Sequence, residues 1–434
     1  MTTTIDTNHL KSARMVSPET GILSHLMRMS RLNEDPRLVS YGIWPGNTEP
    51  LGGEKFGGRS SGCGWEDNDA LLGTVGETLE RYSSAFYNLG EALHCSYDEL
   101  PDGGLSVSPE AYALFHPEQY ADKRFHIKPF TRDLKRYWFK ALDLTTGQNS
   151  YVPGEFIYLP FTPYEEWITL STSTGLAAHT SMSKCLLTAL YESIERDSFV
   201  ITWLQGLTPP KIKIDADIRG YLDEHVPGDY EWHFIDITYD TGIPSVFGIC
   251  IGEAEFGPFV AVGCSTRPTL GEAIRKAVKE ISQGIPYFRF LLGEKKDWTP
   301  TDDFFRIQNF EQHSIFYTKR PDLWHVFDRY REPAATKKID FYATTGRSDQ
   351  EEVRHVLRGI KEAGCNVFFR DTTTPDVRQS GFYTARAFVP QFVQLAGAYP
   401  FYYNGAPRLY EVPAKMGYPV REYADLVKYP HPFP

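Results

Sequence analysis

The chain has 434 residues, 41% of them apolar and 14% aromatic, and carries a net charge of −11 at pH 7. This size predicts two or three joined lobes, and the acidic balance excludes the broad basic surface of a nucleic-acid-binding protein. Because no apolar run is long enough for a membrane span or a secretory signal, we expect a cytoplasmic protein that does not bind a membrane.

Residues 1–45 are predicted to form an N-terminal helical arm, and residues 46–434 the main domain. In the arm, the apolar positions of GILSHLMRMS (residues 21–30) could pack on the body of the protein. A glycine-rich segment, GGEKFGGRSSGCG (residues 52–64), then leads into the first strongly periodic helix.

The glycine-rich segment comes within one residue of a P-loop, with Arg59 where that motif has lysine. No buried strand precedes it, and the helix that should follow at once begins about ten residues late, so we exclude a P-loop NTPase. Its backbone N–H groups and the hydroxyls of Ser60 and Ser61 could still bind phosphate oxygens.

The first periodic helix, LGTVGETLERYSS (residues 72–84), carries two carboxylates and a guanidinium on one face. Residues three or four apart share a helix face. Glu77, Glu80 and Arg81 therefore lie opposite an apolar stripe, which consists of Leu72, Val75, Leu79, Tyr82 and Phe86.

The same E-x-x-E-R pattern recurs about 115 residues later in LTALYESIERDSF (residues 187–199), again after a loop of small residues. Glu192, Glu195 and Arg196 point away from that helix's apolar stripe. A solvated face with internal Glu–Arg pairs would explain either copy alone. The repetition instead favours two duplicated lobes that face one cleft, where four carboxylates meet around a cation such as Mg²⁺ with substrate phosphates.

Three predicted strands (residues 232–238, 245–252 and 259–265) precede a third helix, LGEAIRKAVKEISQGIPYFRFLL. Its polar side carries four candidate nucleotide-binding residues: Arg275, Lys276, Glu280 and Gln283. A cation here could neutralise a leaving phosphate, although an ordinary exposed face is the alternative. IDFYATT (339–345), a helix and NVFFRDTTT (366–374) then predict a β-α-β unit, which makes the fold class α/β.

The chain ends in Pro430-His431-Pro432-Phe433-Pro434. Alternating prolines favour an extended polyproline-II strand at low entropic cost. Such a strand could place the terminal carboxylate of Pro434 in the cleft as a catalytic base, whereas a disordered chain end is the alternative. The six cysteines and twelve histidines are scattered, which excludes structural zinc and a disulfide framework.

Taken in order, these segments resemble the YcaO family over nearly the whole chain. The segments that carry the resemblance are SSGCG with the Glu77/Glu80/Arg81 helix, STGLAAHTS with ALYESIERDSF, VGCSTRPTLGEAIRKAVKEISQ, FFRDTTTPDV and the P-x-P-x-P ending. The resemblance implies a mixed α/β fold around a central ATP cleft. It also implies cofactors, ATP held through Mg²⁺, with Glu77, Glu80, Glu192 and Glu195 as metal and nucleotide residues and Arg81, Arg196 and Glu280 completing the site.

Two positions depart from the family's pattern. The family often has G-K-G where this chain has Gly62-Cys63-Gly64, so we expect Arg59 or Lys55 to replace the lysine. An asparagine commonly precedes the glycine that is Gly175 here, and this chain has Thr174.

The P-x-P-x-P ending resembles the azoline-forming cyclodehydratases, which convert Cys, Ser or Thr of a precursor peptide to thiazoline or oxazoline. Only about 50 residues precede the glycine-rich segment, so the chain resembles the stand-alone subunit of microcin B17-type synthetases. The implied partners are a leader-peptide-binding protein similar to ubiquitin-activating enzymes, the precursor peptide and an FMN-dependent azoline dehydrogenase. Thioamide or amidine formation, and a non-catalytic ATP-binding scaffold, are the alternatives.

Overall fold

The computed structural model describes residues 13–19, 21–55, 58–101, 103–333 and 335–434. Fourteen strands in three sheets and ten α-helices lie within these ranges, which confirms the predicted α/β class. Residues 1–12 of the predicted arm and residues 56 and 57 of the glycine-rich segment lie outside the described part of the chain.

The first sheet is antiparallel, has the order β1-β2-β3, and corrects the prediction for residues 21–30. Its strands are β1 (Leu23–Arg28), β2 (Val39–Pro45) and β3 (Ser60–Gly64). The predicted helix is wrong because the segment pairs along its length with β2 and buries Leu23 at its start. A short isolated helix would have had to offset its nucleation cost without that pairing.

The second sheet has the order β11-β10-β9-β8-β12 and contains all three strands predicted between residues 232 and 265. Its members are β8 (Lys211–Ile212), β9 (Glu231–Asp236), β10 (Ser245–Ala254), β11 (Gly257–Thr266) and β12 (Thr336–Lys337). The third sheet has the order β4-β5-β13-β14-β7, with β6 also paired to β5. Its members are β4 (Leu93–Cys95), β5 (Arg136–Asp143), β6 (Gln148–Pro153), β7 (Leu176–His179), β13 (Phe368–Asp371) and β14 (Tyr383–Phe388).

The helices are α1 (Asp67–Ser84), α2 (Pro117–Ala121), α3 (Met182–Leu204), α4 (Ala216–His225), α5 (Leu270–Glu294), α6 (Phe310–Lys319), α7 (Asp328–Arg331), α8 (Asp349–Glu362), α9 (Pro375–Gln379) and α10 (Arg408–Lys415). The predicted apolar stripes of α1, α3 and α5 are buried, as Leu79, Ile194 and Ala277 illustrate. Helix α3 contacts β7 and β14 of the third sheet and β11 of the second, so it joins the two sheets. Within the described ranges, no helix has the length and apolar character needed to cross a membrane.

The predicted β-α-β unit is wrong. Helix α8 and strand β13 form as expected, but residues 339–345 form a turn rather than a strand. The nearby strand β12 belongs to the second sheet and β13 to the third. The turn buries Phe341 against the start of α5, so this apolar segment packs on a helix instead of pairing in a sheet.

Three strand–helix units position the polar residues considered next. Strand β3 leads into α1, β7 into α3, and β11 into α5. At Gly62 in β3, an added Cβ would lie 2.3 Å from the backbone nitrogen of Thr74, so only glycine lets α1 pack this closely on the strand.

Candidate functional site

Helices α1, α3 and α5 bring five carboxylates into one group. We call this group, Glu77, Glu80, Glu192, Glu195 and Glu280, the acidic cluster. Burial raises the pKa of Glu77 and sets that of Glu80 well above its usual value, and the charge of Glu192 raises both further. Burial also raises the pKa of Glu195, with added contributions from Glu280 and Glu192. The carboxylates of all three helices therefore interact with one another.

The arginines of the two E-x-x-E-R motifs balance this charge only loosely. Arg81 Nη2 lies 3.5 Å from Glu80 Oε1, and Arg196 lies 3.6 Å from Glu192 and 3.3 Å from Glu195. The internal Glu–Arg pairs of the alternative interpretation thus exist, but they do not lie on a solvated face, since the Glu195 side chain is 7% exposed.

In helices α1 and α3, a glutamate accepts a hydrogen bond from the backbone of the segment that precedes the helix. Ser61 N–H donates to Glu77 Oε2 at 3.2 Å, and Gly175 N–H donates to Glu192 Oε2 at 3.1 Å. The donor precedes its glutamate by 16 residues in one case and by 17 in the other. The two motifs are therefore repeated in their contacts as well as in their sequence.

Gly175 is required by its backbone. Its φ is +83°, and an added Cβ would lie 2.1 Å from Ala387 O in β14. A side chain would clash there and would also strain the backbone, so the loop before α3 can approach Glu192 only with glycine at this position.

The two candidate serines face opposite sides of β3, because side chains alternate along a strand. Ser61 Oγ accepts a hydrogen bond from Gln283 Nε2 at 3.3 Å, next to the acidic cluster. Gln283 Oε1 also accepts from Cys63 Sγ at 3.1 Å. Ser60 is buried on the other face of the strand, so the structure does not bring its hydroxyl to the cluster.

Two lysines of α5 supply cations beside Cys63. Lys276 Nζ forms an ion pair with Glu280 at 2.8 Å, and this lysine and two arginines outweigh burial and lower the pKa of Glu280. Lys276, together with burial, lowers the pKa of Lys279 to about 8. Of the expected substitutes, Arg59 lies over the Trp44 ring at 5.3 Å and Lys55 is exposed.

Arg275 lies apart from the acidic cluster, so the structure does not bring it together with the other predicted nucleotide residues. Its Nη1 donates to Phe341 O at 2.7 Å, and its guanidinium lies over the Phe341 ring. Helical rotation explains the difference, since Arg275 and Lys276 are neighbours in sequence but point about 100° apart.

Two arginines near the cluster, the buried Arg386 and the partly exposed Arg267, were not among the predicted residues. Arg386 of β14 donates to Thr172 O at 2.8 Å, and burial lowers its pKa to about 10 despite the nearby Glu192. Arg267 follows β11 directly and lowers the pKa of both Glu195 and Glu280. The sequence offered two signals for these residues: an arginine within the apolar strand TARAF, and a second arginine between a strand and a helix.

The C-terminal tail is packed into the body of the protein. Tyr317 Oη donates to Pro430 O at 2.7 Å, and His431 N–H donates to Tyr402 Oη at 3.0 Å. Phe433 is buried with its ring 4.1 Å from the Arg196 guanidinium, and Pro434 is exposed. The chain thus ends beside helix α3 at the acidic cluster.

Among the described residues, no three Asp, Glu, His or Cys side chains are grouped closely enough to hold a metal ion. The four glutamates predicted as Mg²⁺ ligands therefore do not form a ready-made metal cage. Mg²⁺ in nucleotide sites keeps several waters and takes one or two carboxylates together with phosphate oxygens. The carboxylate oxygens lie beside lysines, and Arg196 Nη1 is buried without a hydrogen-bond partner. This set of groups fits a metal–nucleotide complex better than a lone metal ion.

Comparison with known proteins adds a family and several solved folds. A family model described as "YcaO cyclodehydratase, ATP-ad Mg2+-binding" matches residues 61–393. The chain is similar to a structure titled "Heterocyclase in complex with substrate and Cofactor", with a TM-score of 0.74 and 21% identity over 98% of the chain. It spans 57% of that longer protein.

Two further structures share the fold. YcaO from Methanopyrus kandleri, bound with AMPPCP and Mg²⁺, matches with a TM-score of 0.60 and 18% identity over 86% of each chain. A chain of the E. coli microcin synthetase McbBCD complex matches with a TM-score of 0.53 and 18% identity, over 85% of this chain and 88% of that one. At these identities the structures establish the fold.

Proposed function

The chain belongs to the YcaO family, and we propose that it is the ATP-dependent subunit of a peptide cyclodehydratase. The family is described as ATP- and Mg²⁺-binding, and azoline formation is the general chemistry that its heterocyclase neighbours support. In the proposed reaction, a Cys, Ser or Thr side chain of a precursor peptide adds to the preceding amide carbon. The amide oxygen then leaves as phosphate, and a thiazoline or oxazoline remains.

The observation that carries the proposal is the acidic cluster with its repeated hydrogen bonds. Carboxylates from three helices are held together although burial opposes their charge. Such an arrangement is stabilised when a divalent cation and its nucleotide enter between the carboxylates and the lysines of α5.

Each part of the site has a proposed role. Glu77, Glu80, Glu192 and Glu195 would hold Mg²⁺ directly or through its waters, and Ser61 would donate to a phosphate oxygen. Lys276 and Arg196 would offset negative charge as the amide oxygen acquires phosphate. Bound Mg²⁺–ATP supplies the phosphoryl group in this chemistry. The remaining predicted residues, Arg81, Glu280 and Gln283, would fix the orientation of these groups through the pairs already described.

The tail would act in the chemical step. The proposed base is the Pro434 carboxylate, which would take the proton from the attacking Cys, Ser or Thr side chain. Support comes from the packing of the tail, which fixes Phe433 under Arg196 and leaves the last residue exposed next to the site. Arg196 thereby touches both the acidic cluster and the tail.

Two other functions remain candidates on the same site. Thioamide or amidine formation would use the same amide activation, but the packed P-x-P-x-P tail favours cyclodehydration. A non-catalytic ATP-binding scaffold would need the carboxylates but no fixed tail, so the packed tail of this chain favours catalysis. For partners, the McbBCD complex is a precedent for a multisubunit synthetase. We propose a leader-peptide-binding protein and an FMN-dependent azoline dehydrogenase.

Extending the chain by one glycine after Pro434 tests the base. With the partner protein and a precursor peptide encoded beside this chain, cyclisation is measured by mass spectrometry as the loss of about 18 Da, one water, per ring. The extension displaces the carboxylate by about 3.5 Å, beyond hydrogen-bond distance. We therefore expect the cyclisation rate to fall by about a hundredfold or more, and ATP affinity to stay unchanged.

Pro434→Ala is the matched control, because it alters the last residue but keeps the carboxylate at the same chain length. It should retain most of the activity. Normal cyclisation by the extended chain would exclude the terminal carboxylate as the base and leave the tail a structural element.

A further inference from the structure

Lys279 is a cation of α5 that the proposed roles above do not use. It lies one turn beyond Lys276 on the side of the helix that meets β3, where Cys63 Sγ is 3.9 Å from Lys279 O. The positive charges of Lys276 and Lys279 both act on the Cys63 thiol, so both ammonium groups lie near this cysteine.

Within the described ranges, no carboxylate forms an ion pair with Lys279, although the charge of Glu280 attracts it. Lys276 is paired with Glu280, and Arg267 donates to Thr266 O at 2.6 Å, but within the described ranges Lys279 has no ion-pair partner. Lys279 is only partly exposed, and Lys276 and Arg267 both repel its charge. A half-buried ammonium beside two other cations is stabilised when an anion enters among them.

The surroundings of Lys279 indicate which anion would fit. Cys63 donates a hydrogen bond to Gln283, Gln283 donates one to Ser61, and the Ser61 backbone donates one to Glu77. This run of contacts joins the lysine to a carboxylate of the acidic cluster. A ligand that bridges the two ends must present negative oxygens to Lys279 and bring a cation to the glutamates, and a magnesium polyphosphate does both.

We propose that Lys279 is a phosphate-binding residue, which holds the phosphates of Mg²⁺–ATP over Cys63 at the β3 side of the site. This inference rests on the proposed ATP-dependent function and adds a residue to its nucleotide site. Cys63 carries no cation of its own, so in this inference the ammonium group comes from α5. A lysine at position 63 would instead carry an ammonium on β3.

Calorimetric titration with Mg²⁺–ATP and with AMP tests the assignment. Lys279→Met should weaken Mg²⁺–ATP binding by about tenfold or more, the scale for losing a charge-assisted hydrogen bond. It should change AMP binding little, because most of the phosphate charge is absent from that ligand. The double variant Cys63→Lys with Lys279→Met should recover most of the affinity for Mg²⁺–ATP.

Lys184→Met is the matched control, because it removes the same charge from an exposed position of α3. It should bind both nucleotides as the unaltered protein does. Lys279→Arg keeps the charge and should retain the affinity, which separates loss of the cation from damage to the fold.

Equal Mg²⁺–ATP affinities of the unaltered protein and Lys279→Met would overturn this inference alone. Equal losses of affinity for Mg²⁺–ATP and AMP would also overturn it, since the lysine would then not act on the phosphates. Failure of the unaltered protein to bind Mg²⁺–ATP at all would contradict the proposed function, and this inference with it.

Discussion

Two groups of charges meet on helix α3, where Glu195 belongs to the acidic cluster and Asp197 to an ion triad with Arg408 and Asp240. In the triad, Arg408 Nη2 donates to Asp197 at 2.7 Å and to Asp240 at 2.8 Å, and its Nη1 donates to Asp240 at 2.9 Å. The backbone N–H of Val393 donates to Asp197 at 2.8 Å. Every charge of the triad is thus held at short hydrogen-bond distance.

The acidic cluster is less deeply buried, since the side chains of Glu80 and Glu192 are 16% and 25% exposed and that of Asp197 only 3%, and it is loosely held. Within the described part of the chain, no hydrogen bond is directed at Glu195 or Glu80, and Arg196 Nη1 has no hydrogen-bond partner. Removing one partner from a fully paired group of buried charges is strongly destabilising, whereas incompletely paired buried charges cost free energy and cluster at functional sites. The difference in pairing therefore distinguishes a structural ion network from the proposed binding site, although both lie on helix α3.

Amide substitutions of two carboxylates on α3 should have opposite effects on stability. Asp197→Asn should lower the free energy of unfolding by about 3 kcal/mol or more, because it leaves Arg408 underpaired and faces an amide N–H₂ toward other donors. Glu195→Gln should leave the free energy of unfolding unchanged or raise it by about 1 kcal/mol, because it removes a charge that burial opposes. Urea unfolding of the nucleotide-free protein measures both.

The two substitutions are matched in chemistry, helix and burial, so each serves as the control for the other. A loss of stability in Glu195→Gln as large as that in Asp197→Asn would show that the cluster is a structural network too, and the comparison would fail.

The C-terminal tail contains a third kind of buried polar group, the neutral side chain of His431. From it we expect a smaller effect, a dependence of stability on pH. Burial lowers the pKa of His431 to about 4, from an ordinary value of 6.5. Between these values the unfolded chain binds a proton that the folded chain does not, so stability should fall as the pH falls from 6.5 toward 4. We expect His431 to contribute a loss of about 1 kcal/mol between pH 7 and pH 5.5, measured by urea unfolding as the difference between the unaltered protein and a variant without this histidine.

The hydrogen bonds of His431 suggest the control. Its Nε2 bonds to Ala396 O at 2.9 Å and its Nδ1 accepts from Phe433 N–H at 3.2 Å, contacts that a glutamine amide can approximate. His431→Gln should therefore reduce the pH dependence, and His25→Gln, at an exposed position, should not. An unchanged dependence in His431→Gln would mean that the tail does not resist protonation.

Much of the fold was predictable because burial imposes periodicity on the sequence. The stripes of α1, α3 and α5 repeat every three or four residues, and the central strands of the second sheet are continuous apolar runs. The failures, residues 21–30 and 339–345, are short apolar segments whose structure depends on a distant partner. Pairing with strand β2 determines the structure of residues 21–30, and packing on helix α5 determines that of residues 339–345. Neither partner can be identified from the local sequence pattern.

The site divides in the same way. Glu77, Glu80, Glu192 and Glu195 could be placed on one side of their helices from spacing alone, although their meeting is a property of the fold. Ser60 and Arg275 were misplaced because a shift of one residue reverses a strand side chain and rotates a helical one by about 100°. Arg386 was missed because its hydrogen-bond partner, Thr172, is distant in sequence.

The central claim is that the acidic cluster binds ATP through Mg²⁺, and calorimetric titration of ATP with and without Mg²⁺ tests it most directly. We predict heat of binding only when Mg²⁺ is present, and loss of that binding in Glu77→Gln and in Glu195→Gln, both of which should remain folded. Arg275→Met is the control for nonspecific effects of charge, because it removes a charge from helix α5 at a position outside the acidic cluster. Unchanged ATP affinity in both glutamate variants, or equal binding with Mg²⁺ and without it, would contradict the account.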